Sequence, residues 1–463
     1  MSTHGALISI RVSRMNVTGE SPNSTTPEPK GWLGKSFHAL ITRYLSLYVL
    51  DNDYLIDVRP LVSLKHFFKN YIAIQTADEA TDQFHSSHEQ EGRYWLLNGT
   101  IHYEPDVQVF LNGLAKQLHS DDRLILVYYS SLWRPLLRLA NSLGLRLRTP
   151  EQNWISHSDA ENFLLLAGFE AIRRDSRLLC PLPVPGLAGL LNTLLAPLAF
   201  FRWFTMVNIL IARPTRGQLA STATPSVSIV VPARNESGNI AEILRRCPKM
   251  GPNDELIFVE GNSTDDTWTT IQRENAEYKG PLRLVAARQE GKGKGDAVRK
   301  GFSLARNEIL MILDADLTVP PEDLPKFYEA IRFGLGEFIN GSRLVYPMEE
   351  RAMRFFNLLA NKFFAVAFTY VLGQEIKDTL CGTKVIRRSD YLRLAAHRSY
   401  FGDFDPFGDF DLLFGAARLG LKIIEIPIRY RERTYGTTNI QRWRHGMILL
   451  GMLILGARKF RFL

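Results

Sequence analysis

Cysteine is scarce: the 463 residues hold three, Cys180, Cys247 and Cys381, far apart and without a CxxC pair or a histidine at metal-ligand spacing. That pattern argues against a disulfide framework or a zinc site and reads as buried thiols in a reducing compartment. No apolar core followed by a cleavage site opens the chain, so no secretory leader is expected. No clean span of the roughly 20 apolar residues that cross a bilayer is present either. The longest candidate, "LAGLLNTLLAPLAFFRWFTMVNILIA", is broken by Pro197 and Arg202. The glycine-rich "RQEGKGKGDAVRKG" lacks the serine or threonine after lysine that a Walker loop needs, which argues against ATP hydrolysis. No nucleic-acid-binding motif is recognised, and no nucleic-acid partner is expected.

What is there is a globular composition, with a net charge of +8 that is unevenly placed. Arginines crowd "RYRERTYGTTNIQRWRHG" and "ARKFRFL", which suggests anionic partners: nucleotide phosphates, acidic lipid headgroups or both. The length predicts two domains. Residues 1–30, rich in Ser, Thr, Pro and Gly, read as a disordered tail. A second polar joint over residues 215–226 separates a first region, 31–214, from a second, 227–463. In the first, "DYLIDVRP", "YIAIQ", "RYWLLNG" and "DRLILVYYS" read as strands with helical patterns between them, an alternating α/β layout with a parallel sheet.

In the second region "VSIVVP", "ELIFVE", "LRLVAA" and "EILMIL" are strand-like, each followed by a helical pattern, as in half of a doubly wound sheet. Ligands of such sheets sit at the carboxyl ends of the strands, and three of these four ends are polar. The last leads into "LDADLTVPPEDL". Side chains alternate along an extended chain, so Asp314 and Asp316 leave on one side. Two converging carboxylates repel unless a cation is near, and hard oxygens at a strand end suit Mg2+ or Mn2+ on phosphates. The same two acids could instead cap the following turn or helix. Asn235 and Glu236 after the first strand could likewise be only a cap. Glu260 after the second can accept hydrogen bonds from a base, and Lys292 and Lys294 can neutralise phosphate.

Taken in order, "VVPARNE", "VEGNSTDDT", "GKGDAVRKG" and "LDADLTVPPEDL" resemble the family 2 glycosyltransferases of the GT-A fold, most closely the dolichol-phosphate mannose synthase type that acts on polyprenyl phosphates. The resemblance spans Ser226 to Leu463. It implies that Pro232, Arg234, Glu236 and Glu260 cradle the nucleoside of a nucleotide-sugar donor, and that Asp314 and Asp316 hold the metal at its diphosphate. Arg343, in "FINGSRL", and Lys384, in "DTLCGTKVIRR", are further candidates at the donor. Asp409 or Asp411 would face the acceptor, although "DFDPFGDFD" also reads as an acidic loop before a helix. Arg431 and Arg433 would clamp diphosphate or acceptor phosphate. Two departures stand out: Glu260 and Gly261 replace an acidic pair, and Thr318 replaces a glutamine found in some relatives near the metal.

The implied activity is metal-dependent, inverting transfer of a sugar from a nucleotide donor to a polyprenyl phosphate at the cytoplasmic membrane face. A hydroxyl acceptor on a glycan or lipid is the alternative. Two segments suit a bilayer surface: residues 350–373, interrupted by Arg354, Asn357, Asn361 and Lys362, and residues 445–460. Both could instead cover the sheet as ordinary core.

The first region, from about Tyr44 to Pro214, resembles the class I methyltransferases, most clearly in "EPDVQVFLNGLAKQLHSDDRLILVYYSSLWRPLLRLA" and the closing "LIARP". That family turns on glycines after its first strand; "LIDVRPLVSLKHF" has none. A non-catalytic, truncated Rossmann-like domain is therefore expected, with S-adenosylmethionine not its ligand. A bifunctional glycosyltransferase and methyltransferase is the competing reading. The whole is an α/β chain of two domains with C-terminal interfacial helices.

Overall fold

The computed structural model describes residues 29, 31–76, 79, 91–144, 153–215, 224–343, 355–402, 408–431, 433, 435 and 442–462. The expected tail and most of the joint at 215–226 lie outside them.

Two sheets organise the chain. After helix α1 (Gly31–Leu45), the first sheet takes β1 (Tyr54–Val58), β2 (Asn70–Ile74), β3 (Arg93–Asn98), β4 (Arg123–Tyr129), β5 (Phe169–Arg177) and β6 (Val207–Pro214), in the order β2-β1-β3-β4-β6-β5. Helices α2 (Val107–Leu114), α3 (Arg134–Ser142) and α4 (His157–Leu166) lie between strands. Caps set their starts: the Asp106 carboxylate accepts from the Val109 N–H, and Ser156 and Asp159 form a reciprocal capping box. The expectation of a parallel sheet needs correction. β1 to β4 are parallel, but β6 runs antiparallel between β4 and β5. Strand β6, "VNILIARP", is buried throughout, and its apolar pattern carries no signal of direction.

The second sheet has seven strands, ordered β13-β11-β12-β10-β7-β8-β9. The four expected strands are β7 (Val227–Ala233), β8 (Glu255–Glu260), β9 (Arg283–Arg288) and β10 (Ile309–Ile312), all parallel. Each is followed by its helix: α5 (Ile240–Arg246), α6 (Thr267–Glu277), α7 (Lys294–Leu304) and α8 (Leu324–Arg332). β11 (Phe338–Ser342) and β13 (Ile423–Pro427) pair in parallel, while β12 (Lys384–Arg387) is antiparallel to both β10 and β11. Helices α9 (Phe355–Leu372), α10 (Arg388–Ala396), α11 (Asp409–Arg418) and α12 (Arg442–Phe460) complete the unit. No helix among the described residues is long and apolar enough to cross a membrane.

The halves share a core. Tyr48, Tyr94 and Ile211 from the first and Phe368, Phe414 and Phe460 from the second belong to one buried apolar cluster. Arg123 and Arg213, buried at the seam, are each matched by a carboxylate, which offsets the cost of burying their charge. Arg123 meets Glu337 at 2.8 Å, and Arg213 binds Glu170 at 2.8 Å and the Gly334 carbonyl at 3.0 Å. The stretch 187–204 forms short helical turns ahead of β6 rather than one long helix.

Candidate functional site

The carboxyl ends of β7, β8 and β10 open on one side of the second sheet. Just past each end stands a non-glycine residue in the left-handed region: Asn235 (φ 57°), Asn262 (φ 56°) and Leu317 (φ 56°). Asparagine tolerates this conformation; leucine does so at a cost, and such strain is held where the surrounding structure demands it. At Leu317 it folds Thr318 back, so that its N–H and hydroxyl donate to Asp316 Oδ1 at 3.1 and 2.7 Å.

The two aspartates each hold a cation. Lys294, the first residue of α7, places Nζ 2.6 Å from Asp314 Oδ1, and Arg433 Nη2 lies 2.6 Å from Asp316 Oδ2. The Lys294 ammonium is pushed up by Asp314 and Asp409 against the opposing effect of burial, and Lys294 in turn holds Asp314 below the usual carboxylate range. Gly382 packs so closely on the Asp314 carboxylate and the Lys294 ammonium that no side chain fits there. Behind them, Lys384 Nζ stands 3.1 Å from Asp409 Oδ1, giving an array of alternating sign, Asp314, Lys294, Asp409, Lys384. The turn before α11 reaches this place because Gly408 (φ 71°) lies against Gly295. Asp411 turns aside to Arg398, at 2.6 Å.

Glu236 is buried beside this array. Its carboxylate accepts from Asn239 at 2.7 Å and meets Arg433 Nη1 at 3.4 Å. Burial pushes its pKa up to about 7, opposed by Arg433. Glu260 accepts from the Ser263 N–H at 2.5 Å and faces Arg288 at 3.5 Å, while Arg288 stacks over Trp268 at 4.6 Å. Pro232 is the penultimate residue of β7 and the exposed Arg234 follows the strand, its Cβ 3.2 Å from the position a side chain at Gly261 would take.

Of the expected residues, the structure gathers Glu236, Lys294, Asp314, Asp316, Lys384, Asp409 and Arg433 around the end of β10, with Pro232, Arg234 and Glu260 beside them. Arg343 forks its guanidinium onto Asp378 at 2.7 and 2.8 Å, and from there its charge still helps to hold Asp314 below the usual carboxylate range. Arg431 lines a separate small cavity with Arg246 and Glu322, and only its N–H touches the site, donating to the Thr318 carbonyl at 3.0 Å. Residues that sequence reasoning missed include Asp378, Gly382 and Tyr435, whose hydroxyl lies 3.0 Å from that of Ser237 and whose ring covers Gly238. Tyr435 stood next to the arginine-bearing "YRER", the one signal that could have found it.

No group of three or more His, Cys, Asp or Glu is arranged to hold a metal among the described residues. The donor set at 314 and 316 is nevertheless two hard carboxylates, each holding positive charge. It suits Mg2+ or Mn2+ if phosphate oxygens complete the coordination and draw Arg433 onto themselves.

Comparison with known proteins bears on the second sheet's half of the chain. Residues 228–394 match the family described as Glycosyl transferase family 2. Among curated relatives, the dolichol-phosphate mannosyltransferase of Pyrococcus furiosus is 28% identical over 221 residues, 46% of this chain and 59% of that protein. The undecaprenyl-phosphate 4-deoxy-4-formamido-L-arabinose transferase of Edwardsiella ictaluri is 29% identical over 216 residues, 45% of this chain and 61% of its own. Glycosyltransferase AglJ of Haloferax volcanii is 29% identical over 226 residues, covering 48% and 69%. The chain thus spans 59% and 61% of the length of the first two. A solved structure of glucosyl-3-phosphoglycerate synthase from Mycobacterium tuberculosis, with Mn2+, UDP and glucosyl-3-phosphoglycerate, overlaps 52% of this chain and 82% of its own at 20% identity and a TM-score of 0.38, too low to argue from. On the family match and these relatives, residues 228–394 form a glycosyl transferase family 2 domain.

Proposed function

We propose that this chain is a metal-dependent, inverting glycosyltransferase of GT-A architecture that moves a sugar from a nucleotide-sugar donor to a polyprenyl phosphate at the cytoplasmic face of a membrane. The observation that carries the reading is the pair Asp314 and Asp316 at the end of β10, flanked by Lys294 and Arg433. A divalent ion bound there supplies positive charge to the departing diphosphate. Lys294 and Arg433 add to that charge, and Glu236, Glu260 and Arg234 line the side where the nucleoside would lie. The printed names of two relatives, a dolichol-phosphate and an undecaprenyl-phosphate transferase, supply the acceptor class.

The acceptor side favours a phosphate over a hydroxyl. A hydroxyl must lose its proton to a nearby base, and the candidates Asp409 and Asp411 stand 3.1 and 2.6 Å from Lys384 and Arg398, cations that make a carboxylate a weaker base. A lipid phosphate arrives anionic and needs only positioning.

A membrane partner is supported by exposed apolar side chains. Trp203 (83% exposed), Phe200 (70%) and Leu194 of the 187–204 turns are exposed, as are Val366 of α9 and Met447 and Ile454 of α12. The Tyr370 hydroxyl donates to the Pro197 carbonyl, joining the 187–204 turns to α9, and the Trp133 indole donates to the Phe204 carbonyl at 2.8 Å, joining them to the turn before α3. In residues 131–144, 181–206, 355–372 and 446–462, Arg134, Arg138, Arg202, Lys362, Arg458 and Lys459 are exposed or half-buried and there is no Asp or Glu, the balance of a surface that meets anionic lipid.

The first half is read as a non-catalytic methyltransferase-like domain. The residue after β1, where that family carries glycine, is Arg59 at φ 51°, and its guanidinium fills the strand end by binding Glu104 at 2.6 Å and the Gln75 carbonyl at 3.0 Å.

The deciding experiment incubates the protein with Mn2+ and a panel of nucleotide sugars, with and without polyprenyl phosphate. One donor consumed only when lipid phosphate and metal are both present supports the reading. Consumption that ignores the lipid, or that persists in chelator, overturns it.

A further inference from the structure

The seam between the halves holds a second charged centre, remote in sequence from Asp314. Asp175 on β5 is buried with Arg173 and Arg177 of the same strand and with Arg461, and Arg202 also acts on it. These arginines hold Asp175 well below the usual carboxylate range despite its burial.

The carboxylate is fully subscribed. Oδ1 accepts from Arg461 Nη1 at 2.8 Å and from the Ser176 N–H at 3.2 Å; Oδ2 accepts from Arg177 at 2.8 and 3.1 Å and from the Tyr48 hydroxyl at 3.2 Å. Arg177 and Arg461 spend their remaining donors on the carbonyls of Phe460 and Tyr370, at 2.6 and 2.7 Å.

Nothing is left for Arg173. Its side chain is 1% exposed, none of its three guanidinium nitrogens has a hydrogen-bond partner, and its approach to Asp175 is 3.8 Å. The rings of Tyr48 and Phe460 flank it at 5.1 and 5.2 Å, and the chain makes room for it at Gly373 (φ 74°), where a side chain would stand 3.1 Å from Nε. Arg173, Arg202 and Arg461 line a cavity of about 850 Å³ between β5, α9 and β13. The acids at the cavity are occupied: Glu161 by Arg174, Glu170 by Arg213 and Lys422, Glu375 by Lys377, and Glu425 by Asn340 and two backbone N–H groups.

Several buried cations around one exhausted carboxylate are costly unless an anion joins them. We propose that this cavity is a binding site for a phosphate group, held by Arg202 at the cavity wall and attracted by the buried, unpartnered charge of Arg173 behind it. Guanidinium is the side chain suited to phosphate oxygens. The phosphate could be free or a lipid headgroup, because Arg202 belongs to the apolar turns and Tyr370, at the cavity wall, bonds to Pro197 of the same turns. The site is independent of the donor chemistry proposed above.

The test is thermal unfolding of the full chain in phosphate-free buffer at matched ionic strength. Inorganic phosphate, phosphatidylcholine vesicles and phosphatidylcholine vesicles containing phosphatidic acid are the additions, with Arg173→Met and Arg202→Gln as variants. Phosphate, or the phosphatidic acid vesicles alone, should raise the wild-type Tm by roughly 2 °C or more. Either response supports the site, and which one appears identifies the source. Both variants should lose it, and without phosphate Arg173→Met should unfold at or above the wild-type temperature, because it removes an uncompensated charge. If Arg173→Met does not fold, Arg202→Gln decides alone. A wild-type Tm indifferent to all three additions, or variants that respond like wild type, overturns the proposal.

Discussion

Arg433 Nη2 and Asp316 Oδ2 meet at 2.6 Å, although β11, β12 and β13 all intervene between them in the chain. The contact makes Asp316 the point where the sheet's acids and the downstream arginines join. Asp316→Asn removes the charge and keeps the shape. Transfer should fall by about a hundredfold or more, within the range known for lost transition-state electrostatics, with the melting temperature unchanged. A variant that transfers at the wild-type rate would sink the metal assignment.

Gly382 supplies a second, independent handle. A Cβ at this position would collide with the Asp314 carboxylate and the Lys294 ammonium. Gly382→Ala should therefore push the two apart and lower turnover at least about tenfold, a barrier change of roughly 1.4 kcal/mol. Circular dichroism should report a retained fold, with Tm lowered by the overpacking, which costs about 1–3 kcal/mol. Undiminished turnover would mean that the Lys294 and Asp314 pair is a bystander.

Glu236 predicts a pH effect. Its folded-state pKa, raised by burial to about 7, lies above the ordinary value of 4.5. Between those two values the folded chain keeps a proton that the unfolded chain has released, so stability falls as pH rises through the window and levels off above it, with a slope of at most about 1.4 kcal/mol per pH unit from this one group. Glu236→Gln should remove that slope, gaining on wild type at pH 8 relative to pH 5 in denaturant titrations. Parallel pH profiles for the two proteins would refute the assignment.

At the end of β1, Arg59 and Glu104 occupy the place where a methyl-donor cofactor would need open backbone. Calorimetry with S-adenosylmethionine should give no binding heat. Measurable affinity would restore the bifunctional reading.

The regular elements were largely legible in the sequence because apolar runs and their polar breaks carry the strand and helix periods directly. "VSIVVP", "ELIFVE" and "EILMIL" became β7, β8 and β10 within a residue or two. What escaped was direction and partnership. The buried runs of β6 and β12 read the same forwards and backwards, so their antiparallel placement needed the folded chain. At the site, Asp314, Asp316 and Glu236 could be found because strand-end acids follow local rules. The commitment of Arg343 to Asp378 and the departure of Arg431 toward Glu322 depend on segments distant in sequence, and no local pattern encodes them.

The bond from Arg177 to the Arg461 carbonyl joins residues 284 positions apart. A closure of that length comes late in folding, since loop entropy must be spent before such a contact rewards it. While a ribosome is still making the second half, the β5 arginines face an interface whose other wall does not yet exist. Truncation anywhere before Phe460 should leave them in that condition permanently, and a fragment ending there should seek chaperones rather than fold quietly.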